Sequence, residues 1–181
     1  MGRAPVLLCL NLERGRLDPA DDAFVRTGAR AAPNIARCID SARLRGMRII
    51  YVFSCDTRER PRAIAGLEPL GSELVLFKTG PSILRAPEFV EADAEQPLGD
   101  IILVGFALAF DILAAVIDAQ ALGRRIGVIA DAVASPDVGG HAGETIDAVM
   151  LSVIARMAPC VTTDGLVARF RQQIETRCAV G

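Results

Sequence analysis

A single lysine, Lys78, ends the apolar run Leu74-Val75-Leu76-Phe77, while the other nineteen basic residues of the 181 are arginine. This chain meets its general need for positive charge with guanidinium groups, so one ammonium behind an apolar run calls for a reason. Lysine is a compact, strongly hydrated point charge whose pKa yields to burial, whereas arginine is a planar fork of fixed charge. Composition alone is equally compatible with one exposed lysine kept by chance. Other apolar runs also end in polar groups: the first in Asn11 and Glu13, the second in Ser54 to Asp56, and two later ones in Phe106 to Asp111 and in Asp131. Brought together, an amide, an ammonium and carboxylates are the raw material of acid–base or nucleophilic chemistry.

The elements that would have to position them alternate. Pro5 to Leu10, Arg48 to Phe53, Asp100 to Phe106 and Ile126 to Ala130 are rich in Val, Ile and Leu, which suits parallel strands covered on both faces. A third strand ends at Lys78, and Cys160 to Thr163 predicts a short last one. Between them, apolar spacing predicts a helix from Pro33, with Ile35, Ala36, Ile39 and Ala42 on one face and a stop at Gly46. Further helices are predicted from Ala109 to Leu122 with Gly123 as its cap, from Gly143 to Met157, and from Asp164 onward. Pro61, Gly66, Pro69 and Gly71 make Cys55 to Glu73 a loop or short helix, and Gly80-Pro81 turns the chain into a segment around Phe89. Strands alternating with helices predict an α/β fold: one three-layer α/β/α domain around a doubly wound, mostly parallel, six-stranded sheet. Ligands of such sheets bind beyond the carboxyl ends of the strands, where the polar groups above fall.

Composition narrows the function classes. The length suits one domain with a sizeable core. A net charge of −2 with acids and bases interspersed leaves no nucleic-acid footprint. No stretch approaches the ~20 apolar residues of a membrane span, and the amino terminus makes a poor signal peptide. The five cysteines, Cys9, Cys38, Cys55, Cys160 and Cys178, are odd in number and lack CxxC spacing, which argues against a disulfide framework and for a reduced, cytoplasmic protein. With one histidine, His141, no metal site is expected, and no cofactor.

In their order and spacing the motifs resemble the isochorismatase-like hydrolase superfamily, which includes nicotinamidases and other cysteine hydrolases. Leu7 to Glu13 (LLCLNLE) resembles its first strand, which usually closes in Asp-x-Gln, and Pro33 to Val52 its first helix and second strand. Lys78 to Leu84 (KTGPSIL) is similar to the lysine segment, and Gly105 to Ala119 (GFALAFDILAAVIDA) to the nucleophile segment. Asp131 to Ser135 and Val161 to Thr163 match the closing motifs. The resemblance implies a homo-oligomer acting on a small-molecule substrate or ligand, with a triad of aspartate, lysine and cysteine. Here those positions read Asn11, Lys78 and Asp111, and Glu13 stands where glutamine is common.

One positive and one negative charge survive that exchange, with the carboxylate moved to the other side of the lysine. Two independent losses would instead leave a buried lysine unpaired, so the pattern argues for a retained polar site. By the family's pattern Asp111 opens the helix after the fourth strand, where free amides and Lys78 favour its ionised form. The resemblance also implies a cis peptide at Phe106-Ala107 and an oxyanion hole that includes the amides of Ala107 and Asp111. Catalytic roles are thereby expected for Asn11, Lys78 and Asp111, with Asn11 orienting substrate, and substrate contacts for Phe106, Ala107 and Glu13. Glu13 as a solvated loop residue, Asn11 as a turn cap and Phe106 as packing are the competing readings. Two functions stay open: a hydrolase with an Asn-Lys-Asp site, and an inactive relative that binds a ligand or partner subunits.

Overall fold

The computed structural model describes residues 3–54 and 61–178. The Val/Ile/Leu runs form β1 (Val6–Leu10), β2 (Arg48–Ser54), β3 (Leu74–Lys78), β4 (Ile101–Phe106), β5 (Ile126–Ala134) and β6 (Cys160–Val161). They make one sheet in the order β3-β2-β1-β4-β5-β6, and every pairing is parallel. β1 is buried at all five positions, as a central strand covered on both sides must be. Its alternate side chains feed two cores. Leu7 and Cys9 join Ile35, Cys38 and Ile39 of α1 (Gly28–Arg43) and Leu166 and Phe170 of α5 (Thr163–Cys178). Leu8 and Leu10 join Phe89 of α2 (Pro87–Glu95), Val116 of α3 (Leu113–Ala121) and Ile154 of α4 (Gly143–Ile154). These are the three layers the alternation predicts. No described helix is long and apolar enough to cross a membrane.

Several element boundaries differ from the sequence expectation, each for a physical reason. α1 starts at Gly28 and carries Pro33 inside it. Its buried stripe runs back through Ala31 to Gly28, and that packing outweighs the one hydrogen bond a proline removes. The segment around Phe89 is a helix, with Pro87 at the first position, where a missing N–H is harmless. β5 continues past Ala130 to Ala134, so Asp131 lies within the strand. Its carboxylate accepts the N–H (2.7 Å) and hydroxyl (2.8 Å) of Thr163, fixing the start of α5. The helix expected from Ala109 opens instead with one widened π turn, Leu108–Ile112, in which Ile112 N–H reaches the Ala107 carbonyl at 3.2 Å. Gly123 ends α3 at φ 62°, as its sequence position implies.

The strand order reverses between β1 and β4, which makes their carboxyl ends the place where a ligand crevice opens. Gly105 sets how closely the two strands approach. Its φ is 109°, and a Cβ there would lie 2.1 Å from the Leu10 carbonyl oxygen. Backbone cannot yield as a side chain would, so only glycine fits. Gly105→Ala should therefore lower stability by more than about 1 kcal/mol, measured by urea unfolding. A change within experimental error would show that β1 and β4 can separate freely.

Candidate active site

Asn11, the residue after β1, has φ 49°, in the left-handed region that asparagine tolerates better than most side chains. It is wholly buried. Its Nδ2 donates to the Phe106 carbonyl at 2.7 Å, and its Oδ1 accepts the Ser54 hydroxyl at 3.1 Å. These two bonds tie the ends of β4 and β2 to β1. A carboxylate could not donate to the Phe106 carbonyl, so the amide suits this position. Asn11 makes no hydrogen bond to Lys78 or Asp111 and does not line the cleft. Its contact with the cleft runs through Ser54, which lines it.

Lys78 ends β3 and is buried, its side chain 4% exposed. Its Nζ bonds one carboxylate oxygen of Asp111 and the Gly80 carbonyl at 3.1 Å. The other oxygen of Asp111 accepts the Ala107 N–H at 3.2 Å. The Phe106-Ala107 peptide is cis, as the resemblance implies. Asp111 is 13% exposed at its side chain, which leaves it an edge toward solvent while both oxygens are held. The pair thus joins a residue of β3 to the π turn behind β4.

Lys78, Asp111 and Ala107 line one cleft of about 330 Å³, together with Ser54, Arg16, Asp22, Thr79, Gly80 and Phe110. Leu108, Ile83 and Leu84, the side chains best placed in sequence to plug it, are buried in the core instead. Phe106, expected against substrate, turns its ring into the α1 side of the core, with Gly28 close by. Phe110 takes the exposed place, half of it open to solvent. The alternation along the chain left these two phenylalanines indistinguishable; the π turn separates the buried one from the one that faces out. Glu13 is neither a free acid nor a solvated loop residue. Its Oε1 accepts the Ser54 N–H at 3.1 Å and its Oε2 the Arg16 Nε at 3.3 Å. Ser54 was marked by its place at the end of the second apolar run, but Arg16 and Asp22 were not legible as site residues, because the loop after β1 gives them no motif.

Other polar and thiol side chains lie away from the cleft. His141 is exposed and pairs through its backbone with Val138. Arg85 binds Asp118 at 2.7 Å, and that arginine holds the Asp118 carboxyl below the usual range. Burial pushes the Cys9 thiol well up and Cys38 to about 11, so neither is a thiolate at neutral pH. Cys55 and Asp56 lie outside the described residues. Among the described residues no three His, Cys, Asp or Glu side chains cluster for a metal ion. Asp147 of α4 is buried, and burial raises its pKa.

A family model described as the isochorismatase domain matches residues 6–164. The chain belongs to the isochorismatase family. The family's solved structures carry the same fold. An isochorismatase from Pseudomonas putida KT2440 is 26% identical with a TM-score of 0.81, the alignment covering 89% of each chain. A putative isochorismatase hydrolase from Oleispira antarctica is 19% identical with a TM-score of 0.82, covering 93% of this chain and 98% of that one. A cysteine hydrolase from Pseudomonas syringae pv. phaseolicola is 18% identical with a TM-score of 0.82, covering 94% and 93%. No curated protein matches.

Within this family member the ion pair is the feature most open to test. Removing one partner of a buried pair strands the other charge, whereas replacing both with apolar groups of similar size is far milder. Lys78→Met should destabilise by about 3 kcal/mol, and Lys78→Met with Asp111→Leu should regain most of that loss in denaturant unfolding. Additive losses would mean that the two groups do not depend on each other.

Proposed function

We propose that this isochorismatase-family protein is a small-molecule hydrolase whose site is Asn11, Lys78 and Asp111, in place of the aspartate, lysine and cysteine that the family resemblance implies. One observation carries the reading: an open cleft reaches a carboxylate held by two donors, the Lys78 ammonium and the Ala107 N–H. Direct attack of Asp111 on an ordinary amide would give an anhydride, far less accessible than a thioester. Asp111 acts instead as general base. It takes a proton from water as the water oxygen bonds to the substrate's electrophilic carbon. Negative charge then leaves the carboxylate and develops on a substrate oxygen. The two donors that held Asp111 are released to stabilise it, with no charge brought in from solvent. The proton on Asp111 passes to the leaving group as its bond breaks. Asn11 contributes by holding Ser54 at the cleft wall, Glu13 by fixing the Ser54 backbone and Arg16, and Phe110 by offering an apolar face at the mouth.

A second reading has its own observation. The Ala107 N–H is already occupied by Asp111, as it would be in a relative that keeps the pocket for ligand binding without turnover. Homo-oligomeric assembly belongs to both readings, supported by the exposed Ile117 and Leu122 near and on α3 and Val149 and Val153 on α4. A cytoplasmic location is supported by free Cys9, Cys38 and Cys160.

The test is a screen of esters, amides, vinyl ethers and related small hydrolysable compounds against the wild type, Asp111→Ala and Lys78→Ala. Turnover by the wild type should fall at least about 100-fold in Asp111→Ala. Turnover undiminished in both variants, or none with any compound while ligands still bind, would remove the hydrolase reading and leave the binding one.

A further inference from the structure

A helix on the outside of a domain turns one face to the core and a polar face to water. α4 does only the first. Gly143, Asp147 and Ile154 are buried, and Met150 and Leu151 pack against the core. Its outer stripe, Thr145, Ala148, Val149, Ser152, Val153 and Arg156, is exposed at every position, yet no charge stands on it before Arg156. Steps of three and one, repeated, are the spacing of a seam between two helices. From Ala148 onward these residues line one groove with Met157. The seam is ready to be covered. The hydroxyl near its centre, Ser152, already donates to the Ala148 carbonyl at 2.8 Å, so an apolar neighbour would leave it satisfied. Gln120 of α3 braces the far end, its Nε2 donating to the Met157 carbonyl at 2.8 Å.

What covers the seam follows from its symmetry. Turned end for end about a point between Met150 and Leu151, the stripe falls on itself: Thr145 exchanges with Arg156, Ala148 with Val153, and Val149 with Ser152. Each exchange sets a larger side chain opposite a smaller one, as interdigitation requires. Glu144, beside Thr145, then reaches the partner's Arg156. Both are exposed, and neither has an opposite charge within ion-pair distance among the described residues.

We propose that α4 packs antiparallel against α4 of a second copy of this chain, across a two-fold axis near Met150 and Leu151. In such a contact each residue pair occurs twice, so two Glu144–Arg156 pairs close its ends. One helix pair is a small interface. α3 runs beside α4, and its exposed Ile117, with Leu122 after it, adds apolar surface. This contact rests on the homo-oligomeric reading above and not on the chemistry of the cleft. An assembly formed through another face would refute the contact and leave that reading standing.

The experiment is sedimentation equilibrium on the full chain over a range of concentrations. The wild type should associate, and Val149→Arg, which puts a charge in the middle of the seam, should halve the associated mass. Glu144→Arg and Arg156→Glu each set like charges opposite one another and should weaken association at least about tenfold. Combining the two restores opposite charges and should recover the wild-type affinity, which a general loss of packing would not allow. The substituted residues are all exposed, and circular dichroism should show wild-type helix content in every variant. Should Val149→Arg not fold, the charge exchange decides the question alone. A wild type that stays monomeric, its α4 then meeting something other than a second copy, overturns the contact. Association untouched by Val149→Arg and by both single charge variants overturns it as well. A double variant no tighter than the singles overturns the antiparallel register.

Discussion

The ion pair between Lys78 and Asp111 joins parts of the sheet that its topology keeps apart. β3 and β4 have β2 and β1 between them, so their ends stand three strand spacings apart, about 14 Å. A lysine has the reach to begin closing that gap, and the π turn after β4 brings the carboxylate back toward it. Either feature alone would leave a charge buried without its partner, which is the costly case. The close approach at Gly105 and the bonds of Asn11 to Phe106 and Ser54 lie on this same seam. They hold the ends of β2, β1 and β4 in the one arrangement that lets the pair form.

The layered fold was legible because its signals are local and repeated. Continuous Val/Ile/Leu runs alternating with 3.6-period stripes have few other solutions, and the lone Lys78 stands out behind such a run by its type alone. What the chain did not announce depends on contacts distant in sequence. Asp131 looked like a loop residue because nothing near Ala130 reveals that β5 continues to Ala134 or that Thr163 supplies its partner donors. Nothing near Asp147 in sequence reveals its burial, because Thr27, the group that bonds its carboxylate, lies far away along the chain. Phe106 and Phe110 are both apolar and four residues apart, and only the widened turn separates the one in the core from the one at the cleft mouth.

Asn11 shows how a residue can matter to a site without entering it. Its amide donates where the Phe106 carbonyl needs a donor and accepts where the Ser54 hydroxyl needs an acceptor, a pairing that a charged aspartate cannot offer. The two residues are therefore compatible with each other: the neutral amide serves the scaffold, and the Asp111 carboxylate balances the charge of Lys78.

Because the chain has one lysine, its side-chain ammonium gives one nitrogen resonance, free of overlap. A ¹⁵N–¹H experiment on the Lys78 Nζ, with ¹³C detection at the Asp111 carboxylate, reads the pair directly. A slowly exchanging ammonium signal that correlates with the Asp111 ¹³Cγ and is lost or shifted in Asp111→Asn is the result required here. A fast-exchanging signal typical of a solvated lysine, unmoved by Asp111→Asn, would contradict it.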